Sequence, residues 1–185
     1  DRVYHLGGAH AIAAMAYGTA SVPRVDKIVG PGNAYVAVAK ALVSCDCAID
    51  FFAGPSEIVI VSTSGRPGWV AADLLAQAEH DEDARAILIT PSKQLASQVA
   101  KAVAKQLATP AAAATPAATA LARNGAIVVT RSIEEAAALA NRMAPEHLVV
   151  DSLDVAAMIP AAGSIFVGEW TAQAAGDYAI GSNHV

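Results

Sequence analysis

Long apolar runs are missing from this chain. Every hydrophobic stretch is broken early by Gly, Pro or a charge, and none approaches the roughly 20 residues a helix needs to cross a bilayer. A membrane partner is therefore not expected. Basic residues are also scarce: 12 Lys and Arg stand against 17 Asp and Glu, for a formal net charge of −5. No basic patch is interleaved with aromatics, which argues against a nucleic-acid partner. Cysteine is nearly absent. Cys45 and Cys47 flank one aspartate, too close for an ordinary disulfide, and no second pair completes a zinc knuckle. They read as small core residues or as free thiols, and the expected compartment is a reducing cytoplasm. No signal peptide is visible. Yet the chain opens on Asp1 and closes on Asn183-His184-Val185 just after a turn-like segment, so both ends read as cut.

What is present is a core. Of 185 residues, 55% are hydrophobic and 16% charged, which excludes global disorder and suits one large or two small domains. Much of the apolar share is alanine, which packs helices closely but buries little area per residue.

Apolar strands alternate with helices. Gly7-Gly8 leads into a helix over 9–17. A short strand, Val25–Val29, runs into Gly30-Pro31-Gly32-Asn33 and a helix over 34–44, with Asn33 at its N-cap. Ala48–Phe52 reads as another strand. Glu57–Ser62 is continuous and β-branched, as a strand buried on both faces should be. A helix over 69–80 follows. Then come strand 86–90, helix 92–107, strand 126–130, helix 133–142, strand 147–150, helix 153–159 and strand 164–167. Between them, Ala108–Ala122 is low in complexity, and Pro110 and Pro116 forbid one uninterrupted helix. It reads as a surface connection with a short helix after Pro116. The fold class is α/β: Rossmann-like, open, mostly parallel sheets with helices on both faces, in two incomplete lobes. The turn Ala53–Glu57 is the best domain boundary.

Ligands of open α/β sheets collect beyond the carboxyl ends of the strands, so loops after strands are the first places to look. The loop Gly30–Asn33 is one; its backbone suits a phosphate or ribose, or simply a turn. Gln77 and His80 are three apart at the end of a helix and would share a face. A carboxamide oxygen and an imidazole pointing together suit a divalent metal. The same residues suit a solvated helix end. Ser56, beside a rigid turn, is either a substrate contact or a turn cap. Glu146 and His147 are adjacent where a strand begins, and a carboxylate beside an imidazole suits general acid–base work or a structural ion pair. Asp177 and His184 lie in an irregular, glycine-containing tail that either lines a site or frays. His5 and His10 show no ligand spacing.

Taken in order, these pieces resemble histidinol dehydrogenase. The carriers are Gly7-Gly8-Ala9, Val25 to Ala34, Ala53-Gly54-Pro55-Ser56-Glu57, Gln77-Ala78-Glu79-His80, Pro145-Glu146-His147-Leu148, Ala175-Gly176-Asp177-Tyr178 and Asn183-His184-Val185. The resemblance covers the chain from end to end but less than half of a family member. It implies a cytoplasmic, homodimeric, zinc-containing and NAD-dependent enzyme of histidine biosynthesis. Such an enzyme oxidises L-histidinol by two successive hydride transfers. It implies Gln77, His80 and Asp177 as zinc ligands, His147 as the base, and Glu146 as the group that activates water. Ser56 and His184 become substrate contacts, and Asn33 a cofactor contact. His10 stands where the family carries a glutamine that touches NAD. Residues 1–56 become part of the NAD-binding lobe and 57–185 the zinc and substrate lobe. A fourth ligand, a histidine, and a substrate-binding glutamate belong to a segment not contained in this chain, so the 185 residues alone are expected to be inactive. Two other readings stay open: a relative on the same scaffold that oxidises another polar alcohol such as a sulfonated diol, and a decayed non-catalytic homologue.

Overall fold

A computed structural model of the chain describes residues 2–30, 32–50 and 56–174. They fall into two compact units, one built from residues 2–50 and the other from residues 56–174. Both are α/β with parallel strands.

The first unit holds α1 (Gly8–Tyr17), β1 (Lys27–Ile28), α2 (Ala34–Val43) and β2 (Ala48–Ile49). The two strands pair in parallel, Lys27 opposite Ala48. Pairing is shorter than expected, two residues a strand; Phe51 and Phe52 lie outside the described residues. Asn33 caps α2, its Oδ1 accepting from the Val36 amide at 3.2 Å. Gly32 must be glycine, because a Cβ there would sit 2.5 Å from Cγ1 of Val36. The core comprises Ile12, Ala16, Ile28, Ala39, Val43 and Cys47. Cys47 is thus a small core residue, its thiol donating to the Val25 carbonyl at 3.4 Å, while Cys45 is exposed. One charge goes inside with them. Lys40, on α2, ion-pairs with Asp50 and donates to the Gly30 carbonyl at 3.0 Å. Asp50 in turn accepts from the Gly30 amide at 2.8 Å. Helix, strand end and glycine loop are pinned to one another.

The second unit is a five-stranded sheet in the order β5-β4-β3-β6-β7. Its strands are β3 (Glu57–Val61), β4 (Arg85–Thr90), β5 (Ala126–Val129), β6 (His147–Val150) and β7 (Ser164–Val167), all parallel. The chain builds outward from β3 to β5, then returns to the other side of β3 for β6 and β7. Four consecutive side chains of β3 are buried, and they alternate between faces. Ile58 and Ile60 pack with α3 (Pro67–Ala78) and α4 (Lys93–Gln106). Val59 and Val61 pack with α7 (Ile133–Met143) and α8 (Leu153–Ala157). That double burial is why β3 reads as an unbroken apolar run, and each such side chain contributes roughly 1.5–3 kcal/mol.

Two expectations need correction. The alanine-rich stretch around Pro110 and Pro116 is no mere surface connection. Each proline opens a helix at a position where its missing N–H costs nothing: α5 (Pro110–Ala113) and α6 (Pro116–Asn124). Ala117 and Ala120 of α6 are buried with Leu75, Ala78 and Ala84, so small side chains there permit close packing on α3. And α3 spans 67–78 rather than 69–80. Pro67 starts it early, and it ends at Ala78, leaving His80 in the following turn. Among the described residues, no helix is long and apolar enough to cross a membrane.

Candidate functional site

The site is assembled where α7 hands the chain to β6. Ser132 caps α7 by accepting from the Glu135 amide. The helix stops at Ala144, which adopts a left-handed φ of 48°, and buried Pro145 prevents any continuation. This sharp stop delivers Glu146 and His147 to the amino end of β6. Positions 147 and 149 then face α3, since strand side chains alternate and Val149 packs with that helix's cluster.

His147 is 1% exposed. Its Nδ1 lies 3.0 Å from Oε1 of Gln77, which sits in the last turn of α3 and is equally buried. Gln173, in the chain after β7, closes the group: its Nε2 is 3.0 Å from Gln77 Oε1 and 2.8 Å from His147 Nδ1. The segment reaches this point by running back along α3. Trp170 meets Trp69 edge-on near the start of the helix, and Gln173 meets Gln77 near its end. Phe166 stands edge-on to the imidazole at 5.8 Å between ring centres, holding it in plane.

Three polar atoms of this trio have no hydrogen-bond partner among the described residues: Nε2 of Gln77, Nε2 of His147 and Oε1 of Gln173. A buried unpaired donor or acceptor costs about 1–3 kcal/mol. Apolar side chains of similar size would remove that cost, so the arrangement points to ligands rather than to packing.

Glu146 is half-buried, and its Oε2 accepts from the Glu57 amide at 3.4 Å. Its carbonyl accepts from the Ser164 amide at 2.8 Å, and a Cβ on Gly163 would lie 2.8 Å from that oxygen, so the Glu146 backbone is gripped by β7. Ser56, half-buried, precedes Glu57 and accepts from the Arg85 amide through its carbonyl. Ser56, Gln77, Glu146 and His147 therefore gather at the amino ends of β3 and β6. These candidates lie at the strand ends opposite the loops in which ligands of open α/β sheets are expected to collect. The carboxyl ends instead hold an Arg66–Trp69–Trp170 stack, with Arg66 4.3 Å above Trp69 and ion-paired to Glu169.

His80 is exposed and two residues beyond α3, its amide donating to the Gln77 carbonyl at 3.3 Å. It does not share a helical face with Gln77, whose side chain turns inward. Asp177 and His184 lie outside the described residues. Among the described residues no three His, Cys, Asp or Glu side chains form a cluster that would hold a metal. The residues still fit a zinc ion through Gln77: half of its buried carboxamide is unpartnered, and a carboxamide presents either oxygen or nitrogen by turning over. In the other unit, Asn33 spends its Oδ1 on the α2 cap, and His10 is exposed in the first turn of α1.

The family model for histidinol dehydrogenase matches residues 1–185. The chain belongs to the histidinol dehydrogenase family. It is 52% identical over 190 residues to histidinol dehydrogenase of Methylococcus capsulatus, covering all of this chain and 43% of the relative. The Geobacter sulfurreducens histidinol dehydrogenase is 52% identical over 188 residues, with 44% of the relative covered. The crystal structure of histidinol dehydrogenase from Elizabethkingia anophelis superposes with a TM-score of 0.85 at 43% identity, over 96% of this chain and 42% of that one. The chain thus spans less than half the length of the relatives it matches, and its parallel α/β architecture is that of the family.

Two features of the chain escape a reading of its sequence. Gln173 sits in a run of small residues with no motif around it, yet touches both Gln77 and His147. Lys40 did carry a signal, being the lone charge in the apolar helix AYVAVAKALV, but Asp50 could not be paired with it from spacing.

Proposed function

We propose that the protein containing this chain is a zinc-dependent, NAD-linked dehydrogenase that oxidises L-histidinol through histidinaldehyde to L-histidine. The observation that carries the reading is the buried Gln77–His147 contact with its unpaired polar ends, beside Glu146, in a member of this family.

His147 takes the hydroxyl proton at Nε2, the ring nitrogen with no partner among the described residues. Glu146, at the same strand end, accepts a proton from the water that attacks the aldehyde. Gln77, His80 and Asp177 would hold zinc, with a further ligand from outside this chain. Bound zinc would supply orientation of the substrate, and bound NAD would supply the hydride acceptor. Ser56 and His184 contact the substrate. Asn33 and His10 contact the cofactor, residues 1–56 forming part of its lobe and 57–185 the zinc and substrate lobe. The full-length protein is a cytoplasmic homodimer, and the 185 residues alone are inactive.

The test is NADH production from L-histidinol by the purified full-length protein. We expect turnover that a chelator abolishes and added zinc restores. Turnover of a different polar alcohol, such as a sulfonated diol, with none of histidinol would overturn the reading, as would activity indifferent to zinc removal.

A further inference from the structure

We propose that Gln173 is a positioning residue that couples the carboxamide of Gln77 to the tautomer of His147, so that a cation held by Gln77 places the imidazole proton on Nδ1 and frees Nε2. The inference rests on the reading of Gln77 as a metal ligand and His147 as the base.

Gln77, His147 Nδ1 and Gln173 present three mutually close polar atoms, with sides of 2.8, 3.0 and 3.0 Å. A hydrogen bond needs one donor and one acceptor. Three corners cannot alternate, so one side of any such triangle joins like to like. The shortest side, Gln173 to His147, is where two donors or two acceptors would repel most, so that side is a hydrogen bond. Two arrangements then make Gln173 the hub.

In the first, the Gln173 NH2 group donates one hydrogen to the Gln77 oxygen and the other to Nδ1. His147 must then carry its proton on Nε2, and Gln77 turns its NH2 outward. In the second, both carboxamides are turned over. The Gln173 oxygen accepts from Nδ1–H and from the Gln77 NH2 group. Now Nε2 of His147 bears a lone pair, and Gln77 turns its oxygen outward. The two outward groups change together: nitrogen donors on both, or acceptors on both.

A cation accepts only the second arrangement, because an amide oxygen ligates a metal and its NH2 group does not. Holding a metal through Gln77 therefore selects the tautomer in which His147 is a base. Gln77 and His147 lie 70 residues apart in sequence, and Gln173 is the atom-level link between what each shows the site. Burial keeps water from substituting for it, since Gln173 is 1% exposed. Each of the three atoms without a partner among the described residues is the outward half of a group whose inner half is spent on the triangle.

The experiment uses the full-length protein labelled with nitrogen-15 histidine. Long-range proton–nitrogen spectra are recorded zinc-free and with zinc alone, and His147 is assigned by its loss in His147→Asn. The expected result is Nε2–H without zinc and Nδ1–H with it. In Gln173→Glu the side chain keeps an acceptor at the hub and, where ionised, offers no donor, so His147 should be Nδ1–H with and without zinc. In Gln173→Leu the hub is gone; kcat should fall about 10–100-fold, the KM for histidinol should hold, and zinc should bind about 10-fold more weakly. An unchanged wild-type tautomer on adding zinc would overturn the coupling, and so would Gln173→Leu with normal kcat and zinc affinity. If Gln173→Leu does not fold, the Gln173→Glu spectra decide alone. If replacing Gln77 leaves zinc affinity intact, or His147→Asn retains full activity, it is the underlying functional reading that has failed.

Discussion

Each unit buries one polar cluster, and the two clusters differ in whether their partners add up. In the first unit Lys40 and Asp50 cancel in charge, and both also bond the backbone of Gly30. Donors match acceptors, and the result is a clamp on the loop before α2. In the second unit Gln77, His147 and Gln173 leave three buried atoms without partners among the described residues. A complete cluster holds a fold together. A cluster with outward valence left over holds it together less well and is ready for something else to bind.

The largest effect that would test this contrast is on chemistry. His147→Asn keeps a polar side chain of similar reach at position 147 but removes the ring nitrogen proposed to take the proton. We expect kcat in the full-length protein to fall by about 10²–10⁴-fold, the usual contribution of a general base, with little change in thermal midpoint. A large fall in stability with unchanged turnover would make the open cluster structural and erase the distinction.

The converse substitution is Lys40→Met. It leaves the Asp50 carboxylate buried without its counter-charge, a change that costs about 3–5 kcal/mol. Urea or thermal unfolding should register it as a lower midpoint. Lys40→Met combined with Asp50→Asn should recover much of the loss, because no buried charge remains. Equal stability of the single variant and wild type would show that the closed cluster is no clamp.

How much of this was legible beforehand depends on the range of the interaction. The alternation of strands and helices is written locally, and β6 and β7 begin and end where the sequence places them, because Pro145 and Gly163 bracket them. Asn33 as a cap was legible for the same reason. Glu146 and His147 stood out as a chemically suited pair. What could not be read is their meeting with Gln77 at the amino ends of the strands. That depends on α3 running antiparallel to β3, which brings its last turn, and Gln77 with it, to the amino ends of the strands. The expected common face of Gln77 and His80 failed by two residues: Pro67 shifts the start of α3, the helix stops at Ala78, and His80 falls in a turn. Gln173 was invisible because its partners lie 96 and 26 residues away.

A second polar group on the helix that carries Gln77 sharpens the contrast from the side of stability. Asp73 lies one turn before Gln77 and lines a cleft at the carboxyl ends of the strands with Ser62, Arg66 and Asp151. Burial pushes its carboxyl up to about 6. The fold therefore prefers the neutral acid. For a carboxyl raised above its unfolded value, the stabilising contribution is fully present below pH 4 or so and is lost as pH rises through about 6. Asp73→Asn fixes the neutral form. It should raise the unfolding midpoint at pH 7–8, by about 1 kcal/mol once partial exposure to solvent is discounted, and should change nothing near pH 4. Thermal melts of both proteins across that range make the comparison. A variant less stable at neutral pH would mean that the Asp73 charge has a partner after all, and that the helix carries a second closed cluster rather than a merely tolerated acid.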